Sequence, residues 1–228
     1  MNRIQTKGLV LRRQDYGEAD RILLLLTEDR FLSGFARGVR RLKSKLASGI
    51  EVFTETEFSL IEGKSDLLTI SSAKPLRVFK NITGDYDRLQ VGYSMLSQLV
   101  GLKQAEDPRF YRATIYALDF LDEPDSDVHI AELWFTLQIL QILGQDPNLS
   151  EDHNGVVLQQ DLRYFLHPDS GSLVPSENEV AVFDADAIKV WRLARAKAPG
   201  YLAAISGADQ IAKKTLPTLR EFAKYHLE

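Results

Sequence analysis

From Val52 to Leu60 one side of the chain carries Val52, Thr54, Thr56, Phe58 and Leu60, and the other carries Phe53, Glu55, Glu57 and Ser59. A period of two with a more polar second face predicts a half-buried β-strand. Two further strand-length apolar runs, Lys7 to Arg13 and Arg21 to Thr27, are separated by Asp15-Tyr16-Gly17-Glu18-Ala19-Asp20, which supplies turn chemistry. A run from Phe31 to Val39 is interrupted by Gly34 and Gly38, which in a strand signal bulges or tight barrel corners. A last run starts at Leu67 to Ser71 and extends past Pro75 towards Phe79. Five short strands before residue 80 predict a small closed barrel, of which the OB-fold is the commonest kind.

After Lys80 the period becomes helical. Leu89, Tyr93, Leu96 and Val100 share one face, with Thr83 or Asp85 placed to cap. Pro108 ends that element, and helices are expected over Phe110 to Leu121 and, behind an Asp125-Ser126-Asp127 cap, Val128 to Leu143. Apolar residues surround the axis of the latter, which predicts a central, buried helix. Gly and Pro then break the pattern from Gly144 to Pro175, where Val156 to Leu158 and Tyr164 to Leu166 predict a small hairpin. Two closing helices are expected over Asp186 to Lys197 and Asp209 to Tyr225. The fold class is therefore α+β: a five-stranded OB-fold barrel over 1–80, then an all-α domain over 81–228 with a finger-like insertion at about 145–178. No repeat or low-complexity segment occurs.

Composition changes this picture in three ways. The chain of 228 residues lacks cysteine, which excludes disulfides and thiolate chemistry. Its longest apolar run, Ile22 to Leu26, is far below the roughly 20 residues of a membrane helix, and the start lacks a signal-peptide pattern, so a cytoplasmic protein is expected. The net charge of −4 conceals a partition, with residues 1–80 at +5 and 81–228 at −9.

The strongest local feature follows from that partition. Gly34 to Lys45 places Arg37, Arg40, Arg41, Lys43 and Lys45 within nine positions, and no acid occurs between Arg30 and Glu51. Arg12 and Arg13 extend the set. Such a run beside a barrel groove can hold phosphates, although composition alone leaves open a solvated basic loop. Tyr16, Phe31, Phe35 and Phe53 are candidate stacking rings, and Phe35, inside the basic segment, is singled out. Small barrels fill their interiors with side chains, so most of these rings are expected in the core.

No catalytic constellation is present, which points to a binding protein rather than an enzyme. His129, His153, His167 and His226 lack helical metal-ligand spacing, and neither a phosphate-binding glycine loop nor a nucleophile elbow occurs. The acidic group Asp122, Glu123, Asp125 and Asp127 surrounds Pro124 and reads as an interhelical loop and cap.

Thr6 to Leu11, Asp15 to Asp20, Leu26-Thr27 and the basic Gly34 to Lys45 segment together resemble the N-terminal signature of the RecO family of DNA repair and recombination mediators. The Tyr-Gly-Glu-x-Asp and Ala-Arg-Gly-Val-Arg-Arg-x-Lys-Ser elements are its more specific part, and a looser likeness continues over most of the chain. The resemblance implies binding of single- and double-stranded DNA, annealing of complementary strands, and loading of RecA together with RecR on strands covered by single-stranded-DNA-binding protein. It implies no cofactor, a nucleoid-associated location and a monomer in isolation. The family's DNA-binding segment falls on Arg37, Arg40, Arg41, Lys43 and Lys45. Many relatives bind zinc in the finger through two Cys pairs, whereas the matching positions here are Glu151, Asn154, Val174 and Glu177. Valine offers no donor, so a zinc-free finger packed around Val156, Leu158, Tyr164 and Phe165 is expected. Relatives also bind the acidic C-terminal tail of single-stranded-DNA-binding protein, for which Arg109 and Arg112 are the nearest dense cations. An OB-fold adaptor for RNA or protein is the alternative reading, and a hydrolase using scattered carboxylates a third.

Overall fold

The computed structural model describes residues 2–63, 66–178 and 182–227. Five strands, β1 (Arg3–Tyr16), β2 (Asp20–Thr27), β3 (Phe31–Ala36), β4 (Thr54–Ile61) and β5 (Leu67–Val78), close into a barrel in the order β1-β2-β3-β5-β4. All neighbours are antiparallel except β3 and β5, which run parallel over Ser33–Phe35 and Leu67–Thr69. The interior is filled by Val10, Leu23, Leu25, Phe58, Leu60 and Ile70, each 3% exposed or less. The alternation in β4 is realised directly, with Thr54, Thr56, Phe58 and Leu60 buried.

The differences from the sequence expectation have local causes. β1 is longer than its apolar run because backbone pairing with β2 and β4 carries polar residues into the ladder at both ends. A register shift between Val10 and Arg12 absorbs four consecutive buried residues, Gly8 to Leu11. Gly34 is not a bulge: it pairs regularly with Leu23, and a Cβ there would sit 2.9 Å from Ile70 Cδ1. β3 stops at Ala36 rather than Val39, since Gly38 has φ of +64° and turns the chain away. Phe53, expected to continue β4, is a buried residue with φ of +59°, and the strand begins after it.

Chain compactness divides the molecule between Leu118 and Asp119. The first unit contains the barrel, α1 (Lys80–Gly84), α2 (Tyr86–Val100) and most of α3 (Arg109–Asp122). Asp85 caps α2 by accepting from the Arg88 amide at 2.9 Å. At the start of α3, the buried Phe110 ring lies 5.8 Å from Phe31, and the Tyr111 hydroxyl donates to Glu55 Oε1 at 2.8 Å. Residues 81–118 carry four cations and four anions, so the charge of this unit stays at +5 and the remainder at −9.

The second unit is built on α4 (Val128–Ile142), capped by Asp127, whose carboxylate accepts from the His129 and Ile130 amides at 2.9 Å each. α4 is buried on nearly every side, as its apolar surround predicts. α5 (Ala185–Ala196), a short α6 (Pro199–Ala203) that the periodicity did not reveal, and α7 (Ala208–Leu227) pack around it. Its one buried charge, Glu132, is met by Arg220 of α7 through two bonds of 2.7 and 2.6 Å. A fully buried carboxylate needs such an answering cation, since its desolvation otherwise opposes folding.

The finger contains a hairpin, but not the one expected. β6 (Tyr164–Leu166) pairs with β7 (Leu173–Pro175), while Val156 and Val157 are exposed. Tyr164, Leu166, Leu173 and Phe183 form the packed set, with Tyr164 and Phe183 exchanging backbone bonds of 2.8 and 3.0 Å. Phe165 is only half-buried, and Leu158 likewise. Among the described residues no three His, Cys, Asp or Glu side chains gather to hold a metal, and Val174 has no donor to offer. Among the described residues no helix is long and apolar enough to cross a membrane.

Candidate nucleic-acid interface

The basic segment leaves β3 at Ala36 and would be free to wander were it not tied to the turn between β1 and β2. The Gly38 amide donates to Asp20 Oδ1 at 2.6 Å, and the Arg40 amide donates to the Ala19 carbonyl at 2.9 Å. Within the loop, Arg41 N–H donates to Gly38 O at 3.2 Å, Ser44 N–H to Arg41 O at 3.0 Å, and Leu46 N–H to Ser44 Oγ at 3.3 Å. The Tyr16-to-Asp20 element and the Ala36-to-Ser44 element are thus two halves of one built structure. Asp20, which the sequence presents as turn chemistry, is the residue that joins them.

Between these halves lies an open cleft of about 800 Å³. Glu18, Ala19 and Asp20 form one wall, and Arg37, Gly38, Arg41, Lys43, Ser44, Lys45 and Leu46 the other. Four cations face two anions, so the cleft carries net positive charge. None of Arg37, Arg41, Lys43 and Lys45 has an ion-pair partner among the described residues, and all four are exposed.

The remaining predicted cations are placed differently. Arg40 lies 3.4 Å from Asp15, whose carboxylate also accepts from Arg21 Nε at 2.9 Å. The Arg21 hydrogen bond, aided by the charges of Arg40, Arg21 and Arg13, holds Asp15 below the usual carboxylate range. Arg13 is ion-paired with Glu51. Arg12 does not line the cleft at all; it borders a separate recess of about 180 Å³ with Gln14, Ser33 and Lys103. The five-cation run therefore resolves into four unanswered charges and one that is already countered.

The rings divide as barrel packing requires. Phe31 and Phe53 are buried, and Phe53 stacks edge-on against Tyr93 at 5.0 Å. Phe35, the ring singled out from sequence, is half-buried; it meets Tyr16 edge to face at 5.9 Å and 83°. Tyr16 is the ring that presents a free surface, at 56% exposure. It adjoins Gly17, whose carbonyl accepts from the Arg40 guanidinium at 3.4 Å.

Arg109 and Arg112 are exposed on the first turn of α3, within the same unit as the barrel. Arg109 is chelated by Asp107 through contacts of 2.6 to 3.0 Å, which lower the carboxylate's pKa and raise the guanidinium's. Its charge is accordingly shared with a neighbour, and the charge of Arg112, exposed about one turn along, adds to the lowering of the same carboxylate.

Two family models together match nearly the whole chain: "Recombination protein O N terminal" over residues 1–79 and "Recombination protein O C terminal" over 85–228. A "DNA repair protein RecO" of Rubrobacter xylanophilus is 35% identical over 147 residues, which cover 64% of this chain and 59% of that protein. The protein of the same description from Dehalococcoides mccartyi is 28% identical over 173 residues, covering 75% and 68%. That of Heliobacterium modesticaldum is 35% identical over 154 residues, covering 66% and 55%. The chain thus spans under two thirds of the length of the first and last of these relatives.

Proposed function

Since this chain belongs to the recombination protein O family, we propose that it is a DNA-binding mediator of repair and homologous recombination whose phosphate track is the cleft between Asp20 and Lys45. The observation that carries this reading is the convergence of Arg37, Arg41, Lys43 and Lys45 on one wall, none of them in an ion pair among the described residues. A polynucleotide brought there releases counterions from its phosphates, which favours binding without regard to sequence. Tyr16, in edge-to-face contact with Phe35, supplies the exposed ring on which a base can stack.

Annealing follows from the same electrostatics. Two strands repel through their phosphates, and cations that screen this repulsion raise the chance that complementary bases meet. In this reading the protein promotes pairing by binding and performs no bond chemistry. It works with RecR to load RecA on strands covered by single-stranded-DNA-binding protein. Exposed Arg112, with Arg109 beside it, is the cationic place for the acidic tail of the latter.

The test is strand annealing on oligonucleotides coated with single-stranded-DNA-binding protein, with and without RecR. Accelerated annealing that needs the cleft cations is expected. Equal affinity for RNA and DNA of one sequence, with no annealing, would instead favour an OB-fold adaptor.

A further inference from the structure

We propose that Leu42 is an apolar wedge that enters the base stack of the DNA held by the cations on either side of it. The inference rests on the cleft being the phosphate track, and adds to it a contact that is not electrostatic. Leu42 has 106% relative exposure, beyond any other large hydrophobic side chain described; the next, Tyr86, has 72%. Scattered exposed leucines are ordinary on protein surfaces, but they usually lay part of their area on a neighbour. This one does not, and the loop beneath it is held on both sides: by the Gly38 amide on Asp20, and by the Ser44 amide on the Arg41 carbonyl.

Its neighbours determine what it meets. Arg41 and Lys43 both line the cleft, whereas Leu42 does not. A ligand whose phosphates are gripped by residues 41 and 43 presents sugars and base faces to the side chain between them. A leucine there loses water against an apolar base surface, which is favourable. Inserting it into a duplex step costs a few kcal/mol of stacking, so entry is easiest at ends, mismatches and single strands. The contact therefore recognises DNA whose bases are already loosened, whatever the sequence.

Oligonucleotides carrying 2-aminopurine, which brightens on unstacking, test this in single strands and in duplexes with and without a mismatch. The native chain is expected to raise the fluorescence, most at the mismatch. Leu42→Ser is expected to abolish the rise and weaken binding about five- to tenfold while the salt slope persists, since the phosphate contacts remain. Leu42→Met restores both. Because the side chain touches nothing, thermal unfolding is unchanged in either variant. Brightening that survives Leu42→Ser, or that Leu42→Met does not restore, overturns the wedge while leaving the track. Neutralising Arg41 and Lys43 without effect on the salt slope overturns the track, and the wedge with it.

Discussion

Neutralising the cleft cations separates a phosphate track from a merely basic surface, because the structure places and pairs differently residues that look alike in sequence. Each single-strand phosphate contact contributes roughly 0.7 to the slope of log affinity against log salt. Changing Arg37, Arg41, Lys43 and Lys45 together to Gln should therefore reduce the slope by about 2.8. Over a rise from about 50 to 200 mM salt, this is a difference of roughly fifty-fold in the affinity lost. Arg41→Gln alone should account for about 2.5-fold over the same range. Arg13→Gln and Arg40→Gln provide the contrast. Their guanidiniums already face Glu51 and Asp15, so each should lower the slope by well under that single-contact amount. The measurement is fluorescence anisotropy of a labelled oligothymidylate titrated at several salt concentrations. The four exposed positions make little difference to folding, which thermal unfolding checks. A slope unaffected by the fourfold change, or one reduced as much by Arg13→Gln and Arg40→Gln, would refute the assignment.

Two further changes probe the supports of this arrangement. Asp20→Asn keeps an oxygen acceptor for the Gly38 amide and removes an anion from the cleft, so DNA affinity should rise; Asp20→Ala removes the same charge together with the acceptor, and affinity should fall, a reversal of order that the same anisotropy assay detects. Tyr111→Phe deletes the hydroxyl bond to Glu55 and should lower stability in urea by about 1.5 kcal/mol. Burial, and then the Glu55 carboxylate, push the Tyr111 phenol well above its usual range. Its proton is retained in the folded state where the unfolded chain releases it, so this contribution is intact below about pH 10 and is lost as pH rises beyond that value. The difference in stability between native chain and Phe variant should shrink accordingly in alkali.

The sequence was legible where local pattern and tertiary environment agree. β4 alternates because one of its faces is core, and α4 is apolar all round because it is buried all round. Asp85 and Asp127 cap as short acidic residues before an apolar period do. It was less legible where backbone pairing sets the limits, since the ladder of β1 accepts Gln5 and Gln14 without regard to their side chains. β6 and β7 are three residues each, too short for periodicity to show which segments pair. For the cleft, charge density along the chain located the cations but not their answers. Asp15 and Glu51 come from other parts of the barrel, and only their positions in space remove Arg40 and Arg13 from the unpaired set. Asp20 lies eighteen residues before its partner Gly38, a separation at which no local signal survives.

Holding four cations on one wall has a consequence for how tightly the cleft can bind. Like charges this close repel, and a loop left to itself would relieve the repulsion by spreading. The bond from Gly38 to Asp20 opposes that spreading, and the carboxylates of Glu18 and Asp20 on the opposite wall offset part of the charge. Pre-ordering reduces the entropy lost when a strand binds, which favours affinity. The two carboxylates act in the other direction, because an incoming phosphate meets their field as well as that of the cations. If the cleft is the proposed phosphate track, the balance favours one that captures a strand readily, releases it readily as salt or a competing polyanion rises, and does not select a sequence. A protein that hands strands from one partner to the next needs those three properties together, and a cleft with six cations and no acid would satisfy only the first.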